Sequence, residues 1–282
     1  MIDLQQVTKA ANDLDPLPAS ATRLAVLVED PNVGVTEIAE VIAFDQALTM
    51  KMLRAANSAA SGSALEVTSV HEAVARMGAA QVVAFAVASH TRSMLTKAVP
   101  GYGLSENQLW RHSVLSALAA ESLPRVSQLE VPPEAFTAAL LHDIGKLVLN
   151  RFLTPPVLNL IRRAQVEGEL SPFQAEVEVI QVHHAEVGGL VAQHWLLPER
   201  IVRAIQYHHD PEHGDDPLCD IVYVANKAAN KLEPMLPRVH PDEVQIGAAV
   251  AERLVLEDGL LDALCAVVQQ RFEEVRARYG IT

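Results

Sequence analysis

The 282-residue chain has only two cysteines, Cys219 and Cys265, far apart and without a CxxC partner. A disulfide scaffold is therefore excluded, and both thiols are expected to be small core residues of a protein in a reducing cytoplasm. Aromatic residues are scarce at 4 %, although half of the chain is hydrophobic, so the apolar mass is Ala, Val and Leu. Such a composition favours packed helices over a β-sandwich. Basic residues are few, twenty-two against thirty-five acids, and the formal net charge of −13 repels nucleic-acid phosphates. The nearest approach to a basic patch, Arg271, Arg276 and Arg278, is interleaved with Glu273 and Glu274 and reads as a solvated helix face. No direct nucleic-acid partner is expected. The longest apolar stretch, Val82 to Ala88 with Ala79 and Ala80 before it, falls short of the roughly 20 residues that span a bilayer. The first residues, MIDLQQVTKAANDLD, lack a charged-then-apolar signal pattern, so no membrane partner is expected either.

What is present is helical periodicity almost throughout, which predicts an all-α fold. Apolar residues recur at i, i+3, i+4 from Ser20, over 35–44 and over 47–60, and Thr68 and Ser69 are candidate N-caps for a helix over 70–77 that stops at Gly78. A long apolar helix follows to about residue 96. The clearest break is Val99 to Gly103, VPGYG, which divides the chain into an N-terminal helical part, 1–103, and a His-rich part, 104–282. The second part is predicted to carry helices near 105–123, 132–152, 155–167, 172–182, 184–195, 198–209, 216–232, 243–256 and 258–279.

Seven of the eleven histidines stand out by position: His112, His142, His183, His184, His194, His208 and His209. A single helical histidine is usually a surface or hydrogen-bonded residue, and His194 is read that way. His142 and Asp143 are different, because they interrupt a very apolar helix. A lone carboxylate among Ala and Leu is costly to bury unpaired, and a metal relieves that cost. The alternative is a helix-surface ion pair between Asp143 and Lys146, three residues along. Joined to His112 before it, and to His184 and the tandem His208-His209 after it, the pair becomes a metal-ligand series.

That series, with LWRHS at 109–113, LHDIGK at 141–146, HAEVG at 184–188 and WLLP at 195–198 leading to His209, resembles the HD superfamily of metal-dependent phosphohydrolases. The closer resemblance is to the HDOD family, the HD-related output domains of bacterial signalling. It extends to the N-terminal part through Leu17-Pro18, Asp45, Leu48-Thr49, LRAANSA at 53–59 and VTSVHEAV at 67–74. By comparison with HD-GYP relatives, the resemblance implies one metal subsite from His112, His142, Asp143 and the position of Asn226. It implies a second from His184, His208 and His209, with Asp143 bridging. The implied cofactor is one or two divalent transition ions, Fe, Zn, Ni or Mn. Lys146 matches a lysine that contacts substrate phosphate in those enzymes, against a reading as a solvated helix lysine, so Asp143 and Lys146 are the catalytic candidates if the chain hydrolyses anything. Asp45, Asn57 and Ser58 are read as structural glue between helices.

Two departures bear on function. Hydrolytic HD proteins carry an Asp where this chain has Asn226, and an amide offers one neutral oxygen in place of a charge. The GYP signature is also missing after His208-His209, where DPEHGDDP follows. The resemblance therefore implies a signal-transduction output module that binds a small ligand or a signalling protein partner and keeps a degenerate metal site. A metal-dependent phosphohydrolase or phosphodiesterase is the competing expectation.

Overall fold

The computed structural model describes residues 3–30, 32–57, 67–235 and 240–279, with side chains to 276. The fold is all-α: no β-strand occurs among the described residues, and only an isolated bridge pairs Val99 with Leu104. No single described helix is long and apolar enough to cross a membrane.

The N-terminal part holds α1 (Leu4–Asn12), α2 (Ala19–Leu27), α3 (Val35–Ala43), α4 (Gln46–Ala56), α5 (Val70–Met77) and α6 (Ala79–Leu95). Their ends follow local chemistry. Asp45 caps α4 by accepting from the Leu48 N–H at 2.9 Å and also accepts from Ser20 Oγ. Ser69 caps α5, and Gly78, at φ +82°, turns the chain sharply into α6, a conformation that disfavours any Cβ. Asn57 closes the loop after α4 by exchanging two 2.7 Å hydrogen bonds with the Val67 backbone. Asp45 and Asn57 thus tie segments together as glue, whereas Ser58 and the predicted end of the helix over 47–60 lie outside the described residues.

The second part holds α7 (Gln108–Ser122), α8 (Ala135–Leu141), α9 (Gly145–Leu149), α10 (Pro155–Glu167), α11 (Pro172–Ile180), α12 (His184–His194), α13 (Glu199–Gln206), α14 (Pro211–Gly214), α15 (Pro217–Leu232), α16 (Ala248–Arg253) and α17 (Leu260–Tyr279). Helix α7 is buried on nearly every side and packs against α8, α15 and α17. A helix enclosed on nearly every side needs small and apolar side chains along most of its length, which explains the dense Ala and Leu of this segment. The α2–α6 bundle joins this part through α6, while α1 packs on α9 and α12, and Thr22 donates to the Trp195 carbonyl. One apolar core runs through both parts and includes Cys219 and Cys265, which are free thiols.

Several predicted elements differ. The expected helix over 132–152 is broken: α8 ends at Leu141, and the chain tightens into i→i+3 hydrogen bonds from Ile144 to Leu141 and, in the first turn of α9, from Lys146 to Asp143. The expected helix over 243–256 splits into a 3₁₀ turn, Pro241–Glu243, and α16, because Gly247 takes an extended conformation and donates its N–H to the Tyr223 hydroxyl. Arg271 is not solvated. It donates to Ser122 Oγ at 2.7 Å and pairs with Glu121, binding α17 to α7.

Candidate metal centre

Six helices or their ends deliver the candidate ligands to one buried point. His112 comes from the middle of α7, and His142 and Asp143 from the tight turn between α8 and α9. His184 opens α12, His208 and His209 follow the end of α13, and Asn226 faces inward from α15. The α9–α12 approach depends on glycine. A Cβ on Gly145 would run into the His184 carbonyl oxygen and lie 2.5 Å from the Gly188 nitrogen. The glycine inside LHDIGK is therefore required by close backbone packing.

The two groupings implied by resemblance are also brought together in space. His112, His142 and Asp143 form one triplet, and His184, His208 and His209 another, with the ligand atoms of each within 4.8 Å of one another. Asp143, about 1 % exposed, stands between them. Its Oδ2 lies 3.3 Å from His142 Nε2 and 3.5 Å from His112 Nε2, while its Oδ1 lies 3.2 Å from His184 Nε2 and 3.9 Å from His208 Nε2. Asn226 Oδ1 is 3.1 Å from His112 Nε2, so the amide does face the first triplet.

Backbone and carboxylate partners orient the rings. His142 Nδ1 and His208 Nδ1 each lie 2.7 Å from the carbonyl oxygen three residues earlier, Ala139 and Ile205. A carbonyl only accepts, so both Nδ1 atoms carry a proton, and in the neutral, metal-binding form of each ring the Nε2 lone pair faces the site. Glu176, buried on α11, accepts from the His184 N–H at 2.8 Å and from its Nδ1 at 2.9 Å. Nothing in the resemblance marked Glu176; the available signal was a carboxylate on a helix whose neighbours, Ala175 and Ile180, are core residues.

Electrostatics agree with this grouping. Burial opposes charge on His184, but the carboxylates of Glu176 and Asp143 outweigh it and hold the imidazole up to about 9. Burial drives His112 down to about 3, and burial with neighbouring imidazoles pushes His208 and His209 well below the ordinary histidine value. Although burial opposes its charge, Asp143 is held well below the usual carboxylate range by His142 and Lys146. Lys146 is only 7 % exposed, with Nζ 2.7 Å from Asp143 Oδ2. Its reading as a solvated lysine is corrected, and so is the surface ion pair: the pair forms, but inside the protein.

These residues fit a cation. Asp143 Oδ1 and His208 Nε2 are buried atoms without a hydrogen-bond partner of acceptable geometry. Three imidazole nitrogens around a carboxylate oxygen form a donor set suited to a divalent transition metal, and an ion there supplies the partner they lack. Beside the ligands a cleft is walled by Tyr102, Leu104, Phe173 and Met235 and reaches Lys146, His209 and Asn226. Phe173 stacks on His209 at 4.7 Å, and Tyr102, from the VPGYG break, lies edge-on to His184. His183 is outside the ligand set: its Nδ1 accepts from the Glu186 N–H and caps α12.

A family model described as the HDOD domain matches residues 14–211. The chain belongs to the HDOD family. An HDOD domain protein of unknown function from Geobacter sulfurreducens has a similar fold, with a TM-score of 0.67, 24 % identity, and coverage of 98 % of this chain and 97 % of that one. A candidate signal transduction protein from Marinobacter aquaeolei VT8 gives a TM-score of 0.70 at 22 % identity, over 99 % of this HDOD chain and 65 % of the other. A candidate metal-dependent phosphohydrolase from Shewanella amazonensis SB2B gives 0.51 at 20 % identity, over 95 % and 96 %. An uncharacterized protein of Treponema pallidum (strain Nichols) is 26 % identical over 250 residues, 84 % of this chain and 47 % of that protein. The chain thus spans about half the length of that curated relative.

Proposed function

We propose that this HDOD protein is a cytoplasmic signal-transduction output module that keeps an HD-type metal centre and acts by binding a small ligand or a partner protein. The observation that carries the reading is Asn226. It faces His112 at 3.1 Å with a neutral oxygen, so Asp143 is the single carboxylate among the seven candidate ligands and already offsets Lys146. Two divalent ions bring four positive charges, and one carboxylate leaves the His112, His142 and Asn226 subsite much the weaker. The His184, His208, His209 and Asp143 subsite is the principal one. The similarity to a candidate signal transduction protein supports the output role. Within the division at 103, the second part carries the metal and the first connects to it through Tyr102.

The cleft supports a second reading, metal-dependent phosphoester hydrolysis, because it brings Lys146 and the ligands within reach of a small molecule. A divalent ion there would polarise a phosphoryl oxygen as a Lewis acid. Lys146 would then meet a phosphate oxygen, and Tyr102 and Phe173 would exclude water from the organic moiety. A panel of cyclic dinucleotides, phosphodiesters and phosphomonoesters decides between the readings. Little turnover by the metal-loaded wild type is expected; robust turnover abolished by Asp143→Ala would overturn the output-module reading and make the protein an enzyme.

A further inference from the structure

Asn226 is held by a chain of contacts that ends in a carboxylate. Its Oδ1 accepts from Asn230 Nδ2 at 3.1 Å, and the same Nδ2 donates to Glu243 Oε2 at 3.3 Å. Asn230 and Asn226 are both buried, one turn apart on α15. An amide presents either an oxygen or an NH₂ group, and the ring of His112 alone does not decide which. An ionised carboxylate only accepts. Glu243 therefore draws the NH₂ group of Asn230 to itself, the second N–H of that group points at Asn226, and Asn226 must answer with its oxygen.

The turn that carries Glu243 is itself fastened to α15. Lys227 Nζ donates to the Asp242 carbonyl oxygen, and its ammonium lies 4.6 Å from the Tyr223 ring centroid. The Tyr223 hydroxyl donates to the Gln245 carbonyl and accepts from the Gly247 N–H at 3.1 Å. Two side chains of one helix thus grip residues 242–247, while Asn230 binds Glu243. We infer that Glu243 and Asn230 are positioning residues that hold Asn226 as an oxygen donor to the first metal subsite. That subsite is then adapted to a neutral ligand, and the inference rests on the metal reading above.

The test uses the full chain titrated with Mn²⁺, free ion being counted by electron paramagnetic resonance. Wild type is expected to bind two ions with unequal affinity. Glu243→Gln, whose amide no longer dictates the direction of the chain, is expected to weaken the second ion by about tenfold or more and leave the first unchanged, as losses of such orienting partners do. Asn230→Ala, checked for folding by circular dichroism, should do the same. In an Asn226→Asp background, Glu243→Gln should no longer weaken the second ion, since a carboxylate offers oxygen in either orientation. Unchanged second-ion affinity in both variants, equal loss in both backgrounds, or a single wild-type ion indifferent to these changes overturns the inference. Absence of any Mn²⁺ uptake by wild type overturns the metal reading beneath it as well.

Discussion

Replacing Gly145 by Ala tests whether the packing of α9 on α12 sets the ligand geometry. The added Cβ would overlap the His184 carbonyl and sit 2.5 Å from the Gly188 nitrogen, and both atoms belong to the backbone. No rotamer change relieves such a clash, so α12 must retreat by about 1 Å to regain van der Waals contact. Overpacking of a tight core costs about 1–3 kcal/mol, and a backbone clash falls at the upper end. For a chain of this size that lowers Tm by roughly 3–5 °C. His184 is the residue struck, so its Nε2 moves away from Asp143 by several times the roughly 0.2 Å that metal coordination tolerates. Metal affinity should fall at least about tenfold. Gly189→Ala is the milder comparison, because its Cβ meets no backbone atom and comes closest to Gln206 Cβ at 3.1 Å, a contact that a shift of a few tenths of an ångström relieves. Thermal denaturation with and without metal, together with isothermal titration, reads both effects. A Gly145→Ala variant with wild-type Tm and wild-type metal affinity would refute the packing argument.

Metal uptake should be coupled to protons through His184. Held up to about 9 without metal, this imidazole is charged at neutral pH and must lose its proton to ligate. Apparent affinity should rise about tenfold per pH unit from 7 to about 9 and then level, with about one proton released per principal ion at pH 7, measurable by calorimetry in buffers of different ionisation enthalpy. Metal-free stability runs the other way: the contribution of His184 is full below its unfolded value near 6.5 and is lost as pH rises through about 9. Asn57→Ala removes two short hydrogen bonds to Val67 and should lower unfolding free energy by about 2 kcal/mol while leaving metal content unchanged, as denaturant melts and elemental analysis would show.

The all-α class and the helix caps at Ser69 and Gly78 were legible because they depend on neighbours within one or two turns. The ligand series was legible because a buried carboxylate and five histidines have few other uses together. The break at His142 and Asp143 was not, since a tight backbone approach to α12, about forty residues further along the chain, leaves only a glycine in LHDIGK and another in HAEVG as its trace. Lys146 reads as a surface residue until α12 and Tyr102 are seen to cover it. Glu176 and Glu243 meet the site through hydrogen bonds between separate elements, and their spacing from the ligands follows no helical or strand period; Asn230 is one helical turn from Asn226, but that spacing alone does not mark it.

Elemental analysis of the purified protein beside its Asp143→Ala variant tests the central claim most directly. Asp143 is the single charged ligand and reaches both triplets through its two oxygens. The wild type should carry at least one divalent transition ion per chain, and the variant should lose most of it while keeping its helical circular-dichroism spectrum. Equal metal content in the two proteins, or none in either after growth and loading with Fe, Zn, Ni and Mn, would contradict a metal centre at this site.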